Sequence, residues 1–384
     1  MKSEASRHPQ FKPGFLERWG RKVLIELALS RNPPSKQINE TQGGDETENK
    51  FHIESRRLIV SGVFWSFWIG FLPSVLFVFF LGYGPGFDTN HLSLHSVLWF
   101  LGLLIFWTII EFYLLFRLGF LLAYKMAELA EMELANEPEL YTPLPSMLAR
   151  IVLEIPDPRI LIYGIDPYKH LDKRAALIST ILYKSKVFLS NISAKFILKA
   201  IIGRSSLRYW IEYISGPITG LWDAVTTYII LRELQKRIIT RKISNYLLTE
   251  ITNLHLSQKN LNQIIRTVAL AIVFTKTFHP NFEFLILRLV GFYDDIESLQ
   301  ELDSWEIWLT GFESLSKEEK MINMKLFAIL SAFDGKLNQE EKIGFLEIQK
   351  YSNFSAMEFT NSLCKKINEG KLSKTLEIVR EFWT

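Results

Sequence analysis

The chain has 384 residues, with 44 Lys and Arg against 41 Asp and Glu, so a formal net charge of +3 excludes a polyelectrolyte binder as a whole. Its 29 Phe and 10 Trp are a heavy aromatic load for a soluble protein, and the load is concentrated between Leu58 and Tyr124. The single cysteine, Cys364, excludes an intrachain disulfide and reads as a small buried hydrophobe.

Residues 1–57 form an N-terminal arm. The first long apolar run starts only near Leu58, so the arm does not read as a secretory signal. Within it, 14–29 has a helical period that puts Phe15, Trp19, Val23 and Leu27 on one stripe. Such a helix suits either the bilayer interface or a seat on the rest of the protein. Residues 30–50, with Pro33-Pro34 and Gly43-Gly44 among polar neighbours, read as a flexible linker.

Residues 58–124 read as a transmembrane hairpin with spans at about 58–82 and 97–118. The first span contains no charged residue, and the second contains one acid, Glu111. A helix rises about 1.5 Å per residue, so roughly 20 residues cross a hydrocarbon core of about 30 Å. The loop between the spans has no Lys or Arg. Lys50, Arg56 and Arg57 precede the hairpin, and Arg117 and Lys125 close it. Cations collect on the cytoplasmic side, so both termini are expected there, with the protein integral to a bacterial inner membrane.

Three features of the hairpin bear on function. Gly62, Ser66, Gly70 and Ser74 put small side chains along one helix face, where another backbone can approach closely. The expected partner is the second span or a second copy of the chain, which would make a homo-oligomer. Glu111 counts to the depth of Trp68, and is expected to be protonated or bonded to an indole N–H or the Ser66 hydroxyl. Pro73 should loosen the first span. In the outer loop, His91 and His95 have the spacing of a metal pair on a helix, with Asp88 just before them.

Residues 125–295 read as a basic helical cytoplasmic domain. Its start, 124–134, extends the second span as an acidic, exposed helix. A proline-punctuated connector from Pro138 to Pro167 follows and is not one helix. Nine Lys and Arg against the single acid Asp172 mark 169–208, and Arg232, Lys236, Arg237, Arg241 and Lys242 continue the bias through 232–242. Beside a membrane these blocks suit anionic lipid headgroups, each cation contributing on the order of 1 kcal/mol. No groove-reading motif points to nucleic acid. Between the blocks, 209–231 is apolar apart from Glu212 and Asp223. Gly216-Pro217 should break it, giving a helix–turn–helix buried in a soluble core or a re-entrant hairpin in the bilayer. A full third span is disfavoured, because it would strand Arg232–Lys242 on the outer face.

Residues 296–384 read as an acidic helical bundle. Between Asp294 and Glu347 thirteen acids face five lysines. An apolar helix should end near Asp334, with Gly335 making a left-handed turn. Asn338 should cap the next helix in a capping box with Glu341. The ligand pattern of an EF-hand is missing. His279 before Pro280 should satisfy a helix end.

The segment SAFDGKLNQEEK, with the following helix and NFSAMEFTNSL, resembles the TerB-like domain of tellurite-resistance proteins over about the last 70 residues. That resemblance implies a small helical bundle with an acidic turn serving a metal or a partner, at Asp334, Glu340 and Glu341. Lys336 departs from it, standing where a further acid is common. The stretches YGIDPYKHLDKRAALIS, GRSSLRYWIEYISGPITGLWDAV and FTKTFHPNFEFL resemble a family of predicted spirochaete (leptospiral) integral-membrane proteins, which implies membrane anchoring and brings no activity with it.

The overall expectation is an all-α protein with a membrane hairpin and a helical cytoplasmic domain that ends in a TerB-like bundle. Its leading function is a non-enzymatic membrane-anchored scaffold, in envelope or stress physiology, that recruits an unidentified protein partner. The alternatives are a metal-responsive sensor or metal-dependent enzyme using the acidic turn, and an oligomeric transporter component built around Glu111. No cofactor is expected beyond a divalent metal at those acids.

Overall fold

The computed structural model describes residues 13–30, 44–82, 94–134, 143–155, 165, 208–254, 256–275, 279–292, 301–350 and 355–383. Among them the chain forms twelve helices and no strand. In order these are α1 (Phe15–Ser30), α2 (Gly44–Gly82), α3 (Leu94–Leu129), α4 (Leu144–Val152), α5 (Arg208–Asn253) and α6 (Gln258–Thr275). Then come α7 (Pro280–Val290), α8 (Trp305–Glu313), α9 (Lys317–Leu330), α10 (Gln339–Gln349), α11 (Ala356–Glu369) and α12 (Leu372–Trp383).

Three long helices organise the rest. α2 packs mainly on α5 and also on α3. The α2–α5 pair is antiparallel. Gly62 faces Thr227 and Leu231, Gly70 faces Gly220 and Asp223, and Gly216 faces Phe71 and Val75. The same register continues to a hydrogen bond of 2.8 Å from the Gln235 amide to the Ser55 hydroxyl. Two helices, α2 and α3, are long and apolar enough to cross a membrane.

The surroundings of all three helices change at one level. Beyond Ile59 on α2, before Phe120 on α3 and before Leu231 on α5, large apolar side chains point outward. Phe64, Leu72 and Phe79 do so on α2, Leu98, Ile105 and Ile109 on α3, and Leu221, Val225 and Ile229 on α5. On the other side of that level the same helices enter a body built from α1, α4 and α6–α12. There Phe51, Phe120, Met126, Leu234, Ile238 and Leu247 join one continuous apolar core that runs from Leu24 to Trp383. The domain boundary expected at 295/296 passes through this core.

Several expectations change here. The small-residue face of α2 is buried at Gly62, Ser66 and Gly70, and α5 packs on both glycines, with Leu122 of α3 also meeting Gly62. The 209–231 stretch is neither a helix–turn–helix nor a re-entrant hairpin, because α5 runs unbroken through Pro217. Pro217 lies on the exposed side of the helix. The 124–134 extension is exposed on its acidic side alone, at Glu128, Glu131 and Glu133, while Tyr124, Met126, Ala127, Ala130 and Leu134 are buried in the body. On α1, Phe15 is 75% exposed while Glu17, Gly20 and Leu24 face inward. Of the two placements considered for that arm, α1 takes the seat on the protein, against α4 and α3. Trp19 meets Phe120 edge-on at 5.3 Å, and Glu17 forms a buried 2.6 Å ion pair with Arg150 of α4.

Candidate functional site where the long helices enter the body

Two glycine turns of the C-terminal bundle, both at positive φ, meet the long helices just inside this level. α11 ends at Gly370, whose φ of 76° favours glycine and whose missing side chain leaves room for the Gln235 amide. The preceding turn follows α9 and contains Asp334 and Gly335, with Gly335 at φ 77°. Asn368 ties the two turns together by donating to the Gly335 carbonyl at 2.5 Å. Arg232 of α5 donates to the Asn368 carbonyl and to the Gln235 side chain. His52 of α2 lies 3.4 Å from the Gly370 carbonyl through Nδ1. Ser55, Gln235, Arg232, Asn368 and the two turns thus form one polar junction linking α2, α5 and the bundle.

The acidic turn is built as its spacing implies. The Asn338 side chain accepts from the Glu341 backbone N–H, and the Glu341 carboxylate accepts from the Asn338 N–H at 2.7 Å, a complete capping box. The Asn338 amide also donates to the Phe274 carbonyl at 2.7 Å, fastening the turn to α6. Asp334 accepts from the Lys336 N–H at 3.0 Å. One oxygen of each carboxylate, Asp334 Oδ2 and Glu341 Oε1, is buried without a hydrogen bond. Burial pushes the Glu341 carboxyl up to about 8; the Asn338 N–H pulls it down, and the Asp334 charge adds to the rise. Burial raises Asp334 as well. The buried Cys364 thiol is pushed up to about 12 by burial, then by the charges of Asp334 and Glu341, so it is inert as a nucleophile.

Among the described residues no group of three His, Cys, Asp or Glu side chains is arranged to hold a metal. Glu340 sits in the first turn of α10 and is half-buried. His95 lies exposed in the first turn of α3, and its expected companions His91 and Asp88 fall outside the described residues, as does the 169–208 basic block. His279 caps α7 by accepting from the Asn281 N–H at 3.2 Å. Burial, and after it Arg237, Lys236 and Arg241, hold His279 well below the ordinary imidazole value, so it is neutral.

The 232–242 block is not an open basic face. Arg232 serves the junction, Lys236 and Arg237 pair with Glu233 at 2.7 and 2.9 Å, and Arg241 lies buried over the Phe284 ring. Burial raises the Glu233 carboxyl, but those two cations outweigh it and lower the value to about 2. Lys242 donates to the Glu131 carbonyl. The exposed cations near this level are Lys50, Arg56 and Arg57 on α2 and Arg117 on α3.

Deeper in the apolar half, Glu111 is only 3% exposed and faces the helix bundle. Phe80 stacks on Trp107 and Gly62 faces Leu122, which sets Glu111 level with the turn after Pro73 rather than with Trp68. The Ser66 hydroxyl donates to the Val63 carbonyl of its own helix. Two buried polar residues that the sequence reading did not place here join this layer, Thr219 and Asp223 of α5. Asp223 occupies the notch left by Gly70. Matching four-residue spacings, Gly62-Ser66-Gly70-Ser74 and Gly216-Gly220-Ala224, were the available signal for that pairing.

Compared with protein-family models, with curated proteins and with solved structures, the chain matches none. The two resemblances drawn from the sequence therefore stand on their quoted motifs alone.

Proposed function

We propose that this chain is an integral membrane protein whose helical body lies on the cytoplasmic side and serves as a scaffold, recruiting a partner protein through its acidic C-terminal bundle. The observation that supports the reading is the common level at which α2, α3 and α5 change from exposing apolar side chains to burying them. A contiguous apolar surface of that extent is costly in water and stable in lipid. The exposed cations Arg56, Arg57 and Arg117 gather near that level, as a cytoplasmic interface requires.

The acids offered to a partner are Glu306, Glu313 and Glu318, exposed around α8 and the start of α9. Two measurements test the reading. The full-length protein should sediment with membranes in the absence of detergent. In mild detergent, wild type should capture a basic partner that the Glu306→Lys, Glu313→Lys, Glu318→Lys variant does not. A soluble full-length chain, or identical captures by both proteins, would overturn it.

A second reading, an ion-responsive sensor, has one specific observation behind it: the unpartnered oxygens of Asp334 and Glu341 beside the polar junction. A divalent cation bound there would act directly on the base of α2 and α5. Titration of the full chain with Mn²⁺ or Zn²⁺ should then show stoichiometric binding that Asp334→Asn abolishes. Equal weak binding by both proteins would dismiss it.

A further inference from the structure

α5 carries a lipid-facing surface that its hydropathy conceals. Its half from Gly216 to Leu231 runs antiparallel to α2 in a register fixed at three glycine crossings and at the Gln235–Ser55 hydrogen bond. That register sets Arg232 level with Leu58 and the first turn of α5 level with Gly82, the two limits of the apolar half of α2. On the side away from α2, Ile218, Leu221, Trp222, Val225, Tyr228 and Ile229 are all exposed, with Leu221 at 60%. The charged side chain within this half, Asp223, faces the opposite way, into the Gly70 notch. From Leu231 onward the same helix buries its large apolar face, from Leu231 and Leu234 through Ile238 and Leu247 to Ile251.

Given the membrane reading above, on which this rests, we infer that α5 is a third membrane helix and that this face takes bilayer acyl chains. The surface is continuous with the exposed apolar faces of α2 and α3 at the same depths, so one solvent covers all three. The direction of α5 answers the stranding of Arg232–Lys242, while it sets Arg208, the last residue of the 169–208 basic block, at the outer end. Antiparallel to α2, it runs from the outer end inward and delivers the 232–242 block to the cytoplasmic body.

The test uses the full-length chain with Cys364→Ala, reconstituted in phosphatidylcholine–phosphatidylglycerol vesicles and carrying one nitroxide-labelled cysteine at a time. Leu221→Cys, Val225→Cys and Ile229→Cys report on α5. Phe64→Cys and Ile105→Cys report on the hairpin, and Leu346→Cys on the body. Labels on α5 should be relaxed by oxygen and shielded from a water-soluble nickel chelate to the same degree as those on α2 and α3, with Leu346 showing the reverse. If the hairpin labels read lipid while those on α5 read water, this inference fails and the two-span anchor stands. If the hairpin labels also read water, the membrane reading itself fails. Labels on α5 that neither reagent reaches, with spin–spin broadening, would assign the face to a second copy and overturn the inference as well.

Discussion

Two halves of the same three helices both carry large apolar side chains, and only one half hides them. On α5 Leu221 is exposed and Leu231, Leu234 and Ile238 are fully buried; on α3 Ile109 is exposed and Phe120 is not. The halves also differ in how they hold together. In the apolar half, backbones approach closely at Gly70 and Gly220, and side chains of neighbouring helices fill the notches at Gly62 and Gly216, a mode of contact that works without a hydrophobic drive between helices. In the body, side chains interlock around rings such as Trp308, which stacks on Phe312 at 4.7 Å and donates to Thr267 at 2.8 Å. Residue type alone therefore does not separate the halves; the mode of packing does.

The largest effect is expected from filling the backbone crossing. A side chain on Gly220 would meet the Phe67 carbonyl oxygen at 2.6 Å, a backbone atom that cannot rotate away. Gly220→Leu should abolish the monodisperse folded species seen by size exclusion in detergent, whereas Gly102→Leu, at a position with open space around it, should leave it intact. In the body, Glu17→Ala removes the buried carboxylate paired with Arg150, and should cost about 3–5 kcal/mol in detergent-phase unfolding. A joint Glu17→Leu, Arg150→Met exchange should recover most of that loss.

A smaller effect separates the two solvents directly. Phe64 and Leu346 are each 56% exposed, one in the apolar half and one on the body. Phe64→Lys should lower membrane insertion by roughly 2.5–3.5 kcal/mol, and Leu346→Lys should change stability by less than about 0.5 kcal/mol. Equal effects would erase the distinction. The last is a pH dependence at the acidic turn. Glu341 titrates near 8 in the folded chain against 4.5 ordinarily, so the stability it contributes is complete below about 4.5 and is lost as pH rises through about 8. Glu341→Gln should flatten that decline in thermal melts between pH 5 and 9, while its amide oxygen still accepts from the Asn338 N–H.

Local signals carried much of this structure into the sequence. The two long apolar helices follow from two runs, the first without a charge and the second, as far as Phe116, with Glu111 alone. The Gly335 turn, the Asn338–Glu341 box and the His279 cap follow from residues within four positions of one another. The long-range arrangement was less legible. Pro217 reads as a breaker because it lacks an N–H, yet it lies on the exposed side and the helix continues. Asp223, Thr219, Trp222 and Tyr228 lower the hydropathy of α5, although the two buried polar residues among them face α2 and not the surroundings. The junction at Ser55, Gln235 and Asn368 joins positions far apart in the chain, and no spacing rule could have assembled it.

α5 has no interruption between its exposed and buried halves, so it behaves as a lever. At 1.5 Å per residue its 46 residues span about 69 Å, and a tilt of about 5° shifts one end against the other by roughly 6 Å. Helices adjust tilt when bilayer thickness changes. With α5 in the bilayer as inferred above, a thinner or thicker membrane would be felt as a sideways displacement at Asn253, the exposed far end of the helix.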